Sequence, residues 1–284
     1  MPNKAFYDMH IHSWARTKYM EKPDPEAILA NMAQAGIYGG CIFSNPPKEE
    51  HPVLGSSFEA RMEELRGWTE GYTHRLFPIL WIHPDEENIP EKMEQAVAAG
   101  VMGFKIICNN FYVYEEKCMR LLRKSAELNK PVLFHSGILF DNQVASQYNR
   151  PLNWEYLLTV KNLKFSMGHC GWPWTDECLA LYGEFKFAPA LPKEEAPEMF
   201  LDLTAGPQEP YRKDLMEKIY GMSWGIDDHL MFGTDCSADH YNPKYAKKWL
   251  DLDGAAMDGL NVSAESRQKV YQDNLMRFLG IDEK

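Results

Sequence analysis

The sequence has no long hydrophobic run and no surplus of basic residues. No apolar stretch approaches the roughly 20 residues that a membrane-spanning helix needs, and the first ten residues lack the apolar core of a signal peptide. Acidic residues outnumber basic ones by 41 to 30, and the net charge of −11 leaves no positive footprint for nucleic acid. We therefore expect a cytoplasmic protein whose partner is a small-molecule substrate, with no nucleic-acid or membrane partner.

Motifs of two common cofactor classes are also absent. None of the six cysteines forms a C-x-x-C pair, which excludes zinc-finger spacing and favours reduced, packed thiols. No G-x-G-x-x-G follows the first apolar segment, so nothing indicates a dinucleotide-binding fold. No linker rich in proline, glycine or serine divides the 284 residues. We expect one domain over residues 1–284, with irregular insertions near 45–60 and 186–198.

Short apolar segments recur along the whole chain and alternate with helical patterns. The strand candidates lie at 5–12, 39–44, 76–83, 103–107, 131–136, 164–169, 199–204 and 230–235. The helical patterns lie at 24–36, 89–100, 114–130, 174–185, 211–222 and 263–280. Eight strands that alternate with helices predict parallel pairing through right-handed crossovers. The pattern therefore predicts an α/β fold, a (β/α)₈ TIM barrel, with an open doubly wound sheet as the alternative.

The stretch YDMHIHSW at residues 7–14 places two histidines two positions apart in an apolar run. Because a strand alternates its side chains between two faces, His10 and His12 are expected to point the same way. Asp8 is expected on that face at a deeper position. Two imidazoles that converge from one strand can bind a metal ion. The alternative is a pair of strand histidines that only form hydrogen bonds.

Other polar residues lie at or near the ends of the predicted strands, where barrel enzymes carry their active sites. These residues are His83 on strand 3, Lys105 on strand 4, His135 on strand 5, His169 on strand 6 and Asp235 on strand 8. In a closed barrel strand 8 pairs with strand 1, so Asp235 would lie beside His10 and His12. Histidines and a carboxylate in one polar cup predict a site for a borderline divalent metal such as zinc or manganese.

Motifs in this order resemble the amidohydrolase superfamily, in the amidohydrolase-related branch that includes aminocarboxymuconate-semialdehyde decarboxylase. The motifs are DMHIHSW, GFKI, VLFHSG, SMGHCGWPWTDE, LMFGTDCS and the closing VYQDNLMRFLGI. The resemblance implies that one divalent metal ion, zinc or alternatively manganese, is bound by His10, His12, His135 and Asp235. It also implies that His169 is the acid/base group. Two-metal relatives carry a carboxylated lysine on strand 4, but this branch works with one metal, so Lys105 is left outside the metal ligands.

These groups predict a metal-dependent hydrolase in which a metal-activated water attacks a small amide, ester or lactone, with His169 and Asp235 as catalytic residues. The alternative is a non-oxidative decarboxylase, a carbon–carbon lyase acting on a carboxylated aromatic or muconate-type substrate. A third hypothesis is a non-catalytic metal-binding barrel. Candidate substrate contacts are Arg16, His83, Lys105 and Trp172, with Arg16 as a carboxylate clamp. Barrel enzymes often dimerise, so a homodimer is an open alternative to a monomer.

Overall fold

A computed structural model describes residues 5–13, 22–141 and 143–281 of the chain. One continuous parallel sheet has the strand order β8-β7-β6-β5-β4-β3-β2-β1-β9. The strands are β1 (Phe6–His12), β2 (Ile37–Phe43), β3 (Leu76–Trp81), β4 (Gly103–Ile106), β5 (Val132–Phe134), β6 (Lys164–Met167), β7 (Glu198–Asp202), β8 (Leu230–Met231) and β9 (Cys236–Ser237). Each of the eight predicted strand segments therefore contains a strand.

Strands β8 and β9 are the two ends of one interrupted strand that closes the sheet into a cylinder. On one side Leu203 N donates to Met231 O at 2.8 Å. On the other side Met9 N donates to Phe232 O at 2.9 Å, and Asp235 N donates to the carbonyl oxygen of His10 at 3.0 Å. Because segment 230–238 is bonded to both β7 and β1, the predicted TIM barrel and its pairing of strand 8 with strand 1 are confirmed.

Helices follow most of the strands and cover the outside of the barrel. They are α1 (Pro25–Gln34), α2 (Phe58–Thr69), α3 (Ile89–Ala98), α4 (Glu116–Glu127), α5 (Thr175–Phe187), α6 (Glu209–Gly221), α7 (Pro243–Gly259), α8 (Ala264–Gln268) and α9 (Asn274–Leu279). Shorter 3₁₀ segments span Ser146–Asn149, Pro151–Thr159, Gly168–Gly171 and Ile226–Asp228, and a π-helical turn, Lys269–Asp273, joins α8 to α9. None of the helices in the described parts of the chain has the length and apolar character that crossing a bilayer requires.

Local signals explain where several helices begin. Asp24 accepts a hydrogen bond from Ala27 N at 2.9 Å and caps α1, and Ser263 caps α8 by accepting from Ser266 N at 3.1 Å. Pro25 then occupies the first turn of α1, where its missing N–H costs nothing. Helices α2 and α7 were not among the predicted helical patterns.

Two apolar layers hold the barrel together. The interior layer includes Phe43 of β2, Phe77 and Ile79 of β3, and Leu275 and Phe278 of α9, all of them buried. A larger cluster fills the space between the strands and the surrounding helices. Burying each of these large side chains contributes roughly 1.5–3 kcal/mol, so the barrel is a packed support for the residues at its mouth.

A bulge in β1 changes which side chains face the interior. Between Asp8 and Ile11, β1 carries one residue more than the matching stretch of β2. Asp8 consequently turns outward, where it accepts hydrogen bonds from the hydroxyls of Thr234 at 2.5 Å and Tyr241 at 2.9 Å. The expectation that Asp8 shares a face with His10 is wrong, because strict strand alternation does not allow for the extra residue.

Candidate metal centre

The ends of β1 and of the last strand bring two histidines and one aspartate together. Nε2 of His10 lies 3.2 Å from Nε2 of His12. Oδ1 of Asp235 lies 3.7 Å from Nε2 of His10 and 3.4 Å from Nε2 of His12. The three ligand atoms all lie within 4.8 Å of one another. The sequence prediction that Asp235 neighbours both histidines is therefore confirmed.

Asp202, which was not among the predicted site residues, orients the first histidine. Asp202, at the end of β7, accepts a hydrogen bond from Nδ1 of His10 at 2.6 Å through Oδ2. Its Oδ1 accepts hydrogen bonds from both the main-chain nitrogen, at 2.7 Å, and the hydroxyl of Thr204. Since the proton of His10 is held at Nδ1, its Nε2 presents a lone pair toward His12 and Asp235. The missed signal was a polar D-x-T pattern at the end of a predicted strand.

This arrangement fits a cation. A lone pair on His10, an imidazole of His12 and a carboxylate oxygen of Asp235 converge at separations of 3.2 to 3.7 Å, and a positive ion stabilises such acceptors where they would otherwise repel. Burial lowers the pKa of His10, and the positive charge of Lys105 lowers it further. The imidazole is therefore neutral, which is the form that binds a metal.

Two further histidines complete the ring around the cup. The ring centroid of His169 lies 5.3 Å from that of His10 and 4.9 Å from that of His135. Nε2 of His135 and Nδ1 of His169 are buried and have no hydrogen-bond partner within residues 5–13, 22–141 and 143–281. Burial lowers the pKa of both imidazoles. His135 borders the group formed by His10, His12 and Asp235. It is not part of that group, whose ligand atoms all lie within 4.8 Å of one another.

Asp235 is the exposed member of the cluster, with 39% of its side chain accessible. Its φ of +61° lies in the left-handed region, which aspartate and asparagine tolerate better than most residues with a side chain. Desolvation by its neighbours raises the pKa of Asp235, but the hydrogen bond with His12 and the charge of His10 outweigh it and hold the pKa well below its usual value. The side chain is therefore a carboxylate that can bind a cation or accept a proton.

Lys105 places an unpaired cation in the same cup. The side chain is fully buried, and its Nζ has no hydrogen-bond partner among the described residues. Nζ lies 5.1 Å from the ring centroid of Phe43, a ring that also contacts His10 and His12. Burial lowers the pKa of Lys105 to about 8, against the raising effect of nearby carboxylates. The amine of Lys105 therefore lies buried beside the aromatic ring that contacts both histidines.

The other candidate substrate contacts have different surroundings. His83 is buried, and its Nδ1 accepts from Asp85 N at 3.2 Å. Trp172 lies directly after the His169 turn and donates its main-chain N–H to His169 O at 3.0 Å. Its ring stacks on the exposed ring of Phe140, with the ring centroids 6.2 Å apart. Arg16 lies outside the described residues.

The solved structures similar to this one include a hydrolase, a decarboxylase and an amidohydrolase 2 protein. The structure of a probable 2-pyrone-4,6-dicarboxylic acid hydrolase from Acinetobacter baumannii, with citric acid bound, is 14% identical with a TM-score of 0.63, covering 98% of this chain and 100% of that chain. A 2,6-dihydroxybenzoate decarboxylase complexed with 2,6-dihydroxybenzoate is 13% identical with a TM-score of 0.64, covering 100% of both chains. An amidohydrolase 2 from Bifidobacterium longum subsp. infantis is 12% identical with a TM-score of 0.62, covering 98% and 99%. At these identities the similarity shows the fold alone.

The family comparison agrees with the motifs. No curated protein matches the chain significantly. The model of a family described as Amidohydrolase matches residues 7–281. This range includes all of β1 except Phe6, every later strand and all of the candidate metal ligands. Members of this superfamily are typically metal-dependent, in agreement with the cluster of two histidines and one aspartate. The resemblance found in the sequence is confirmed: the chain belongs to the amidohydrolase family, in its amidohydrolase-related branch, and is an enzyme of that superfamily.

Proposed function

We propose that the protein binds one divalent metal ion at the barrel mouth, with His10, His12, His135 and Asp235 as ligands. The observation that carries the proposal is the convergence of Nε2 of His10, Nε2 of His12 and Oδ1 of Asp235. His135 supports it because its Nε2 is buried beside the cluster without a hydrogen bond in the described chain. Imidazole and carboxylate donors suit zinc, with manganese as the alternative.

The reaction we propose is hydrolysis of a small amide, ester or lactone. A divalent ion in such a site supplies Lewis acidity, which lowers the pKa of water from about 15.7 toward 7 and polarises a carbonyl oxygen. The partly exposed carboxylate of Asp235 is placed to accept a proton from the attacking water. His169, packed against the rings of His10 and His135, is placed to hold a proton for the leaving group.

A panel of lactones, esters and amides tests this function. Protein loaded with zinc or manganese is assayed beside the double variant His10→Ala, His12→Ala and beside His51→Ala, which changes a histidine whose Nδ1 accepts a local hydrogen bond from Leu54 N. We expect hydrolysis of at least one panel member by the wild type and by His51→Ala, and its loss in the double variant. Equal hydrolysis by the double variant would contradict the assignment, and so would a loaded wild type that hydrolyses nothing.

The second candidate is a non-oxidative decarboxylase of a small carboxylated aromatic or muconate-type compound. The observation that favours it is the buried, unpaired ammonium group of Lys105, which suits a substrate carboxylate. The solved decarboxylase of the same fold acts on 2,6-dihydroxybenzoate, which carries such a group. Release of CO₂ from a carboxylated panel member, without hydrolysis of the esters and lactones, would select this reaction over the first.

A further inference from the structure

The loop between β2 and α2 places a buried carboxyl group at the β3–β4 side of the barrel mouth. Glu50, which is 8% exposed, accepts a hydrogen bond from Nε1 of Trp81 at 2.9 Å through Oε2. The main-chain oxygen of Glu50 accepts from Nδ2 of Asn109 at 3.3 Å. The carboxyl group is therefore fixed by one side chain from the end of β3, while its main chain is held by another that follows β4.

Trp81 joins this carboxyl group to the metal cup. Its ring meets the ring of His12 edge-on, with centroids 5.7 Å apart. Trp81 is also the register partner of Lys105 on β4. Glu50, Trp81 and Lys105 therefore occupy one side of the mouth, directly beside the histidine cluster.

Three buried polar atoms without a hydrogen-bond partner among the described residues lie on this side of the barrel mouth. Nζ of Lys105, Oδ1 of Asn109 and Nε2 of His83 are buried and form no hydrogen bond within the parts of the chain that the structure describes. A buried polar atom left unsatisfied is costly, and a ligand bound in the cup would supply partners for these three.

We propose that Glu50 contacts the substrate and that, together with Lys105, it binds a carboxylate group of the substrate. This inference rests on the proposed function, because it places the substrate beside His12. In the neutral acid, the carbonyl oxygen of Glu50 accepts from Trp81 while its hydroxyl donates to one carboxylate oxygen. Lys105 donates a charge-assisted hydrogen bond to the same group.

The protonation of Glu50 agrees with this role. Burial raises the pKa of Glu50 to about 8. The hydrogen bond from Trp81 and the positive charge of Lys105 lower it, whereas the negative charges of Asp141 and Glu86 raise it. At neutral pH Glu50 therefore keeps its proton and can donate to a carboxylate, which an ionised Glu50 would repel.

Three substitutions separate substrate contact from simple support of the loop. Glu50→Gln keeps an oxygen that accepts from Trp81 and an amide N–H that can donate to the substrate. Glu50→Leu removes both groups, and Lys105→Met removes only the cation. Glu49→Gln is the matched control, since Glu49 lies in the same loop but is exposed.

The test is isothermal titration with benzoate and with its uncharged analogue benzamide at pH 7, in zinc-loaded and in metal-free protein. We expect the wild type, Glu49→Gln and Glu50→Gln to bind benzoate about tenfold or more tightly than benzamide, the change expected from charge-assisted hydrogen bonds. Glu50→Leu and Lys105→Met should lose most of that preference in both metal states. Should Glu50→Leu fail to fold, Glu50→Gln and Lys105→Met carry the same test.

An unchanged benzoate preference in Glu50→Leu, its loss in Glu50→Gln, or its absence in the wild type would overturn the inference. Metal content is measured in the same samples. Protein that takes up no metal but still prefers benzoate would refute the metal proposal and leave this one standing. Protein that binds metal without any benzoate preference would refute this inference alone.

Discussion

The carboxylate of Asp202 accepts a 2.6 Å hydrogen bond from Nδ1 of His10, although the two residues lie 192 positions apart in the sequence. Both side chains are almost completely buried, and the other oxygen of Asp202 is held by Thr204. The bond fixes which nitrogen of His10 faces the cluster, so β7 orients a side chain of β1 although Asp202 is not itself part of the cluster.

Replacing Asp202 should weaken metal binding even though Asp202 is not a proposed ligand. In Asp202→Asn the amide oxygen remains paired with the two donors of Thr204, so the NH₂ group faces Nδ1 of His10 and favours the proton at Nε2. We expect the affinity for zinc to fall about 10- to 100-fold, measured by competition with a chromophoric chelator. Asp251→Asn, at an exposed position on α7, is the control. Equal zinc affinities for the wild type and Asp202→Asn would contradict this account of His10.

Replacing His169 should reduce turnover and spare metal binding. His169 has a φ of +58°, which asparagine tolerates better than most residues, so His169→Asn is the suitable variant. We expect kcat to fall about 10²- to 10⁴-fold, the usual contribution of a general acid or base, with metal content unchanged. Full turnover by this variant would exclude a catalytic role for His169. Loss of its metal would instead make His169 a ligand.

Two buried glutamates should make the metal-free protein less stable as the pH rises. Burial raises the pKa of Glu50 to about 8 and that of Glu64 to about 7, from an ordinary value of 4.5. The folded state thus holds these protons more tightly than the unfolded state. Their stabilising effect is complete below about pH 4.5 and is lost as the pH rises through 7 and 8.

Urea unfolding between pH 5 and pH 9, with a chelator present, measures this dependence. Each glutamate should lower the free energy of unfolding by up to about 1.4 kcal/mol per pH unit between its two pKa values. Glu50→Gln and Glu64→Gln should each flatten the wild-type profile, whereas Glu49→Gln should not. Profiles of equal slope would show that these carboxyl groups are not held protonated.

The buried ion pair between α6 and α7 should be sensitive to the loss of one partner. Nε of Arg212 donates to Oδ1 of Asp253, and Nη2 of Arg212 donates to Oδ2, both at 2.7 Å. Neither side chain is more than 2% exposed. Arg212→Met leaves a buried carboxylate without its partner, and we expect it to cost about 3–5 kcal/mol in urea unfolding. Arg212→Met combined with Asp253→Leu should recover much of that loss. A double variant no more stable than the single one would argue against this explanation.

Much of the fold could be predicted because its signals are local. Eight apolar segments and caps such as Asp24 and Ser263 are readable within a few residues of sequence. Helix α2 escaped prediction because its buried face carries Arg61 and Glu64, whose partners Glu86 and Asn45 lie outside the helix. A pattern of apolar residues cannot reveal a helix that buries charged side chains.

The site was predictable where strand order alone determines it. Because the last strand pairs with the first, Asp235 had to lie near His10 and His12. Asp202 and Glu50 could not be found in this way, since their roles depend on partners distant in the sequence. The outward turn of Asp8 depends on a bulge, which no residue type in the stretch marks.

Metal content measured by elemental mass spectrometry tests the central claim most directly. The purified wild type is compared with the double variant His10→Ala, His12→Ala and with His51→Ala. The account predicts about one zinc or manganese ion per chain in the wild type and in His51→Ala, and none in the double variant. A wild-type protein that holds no divalent metal even after reconstitution, or a double variant that keeps it, would contradict the account.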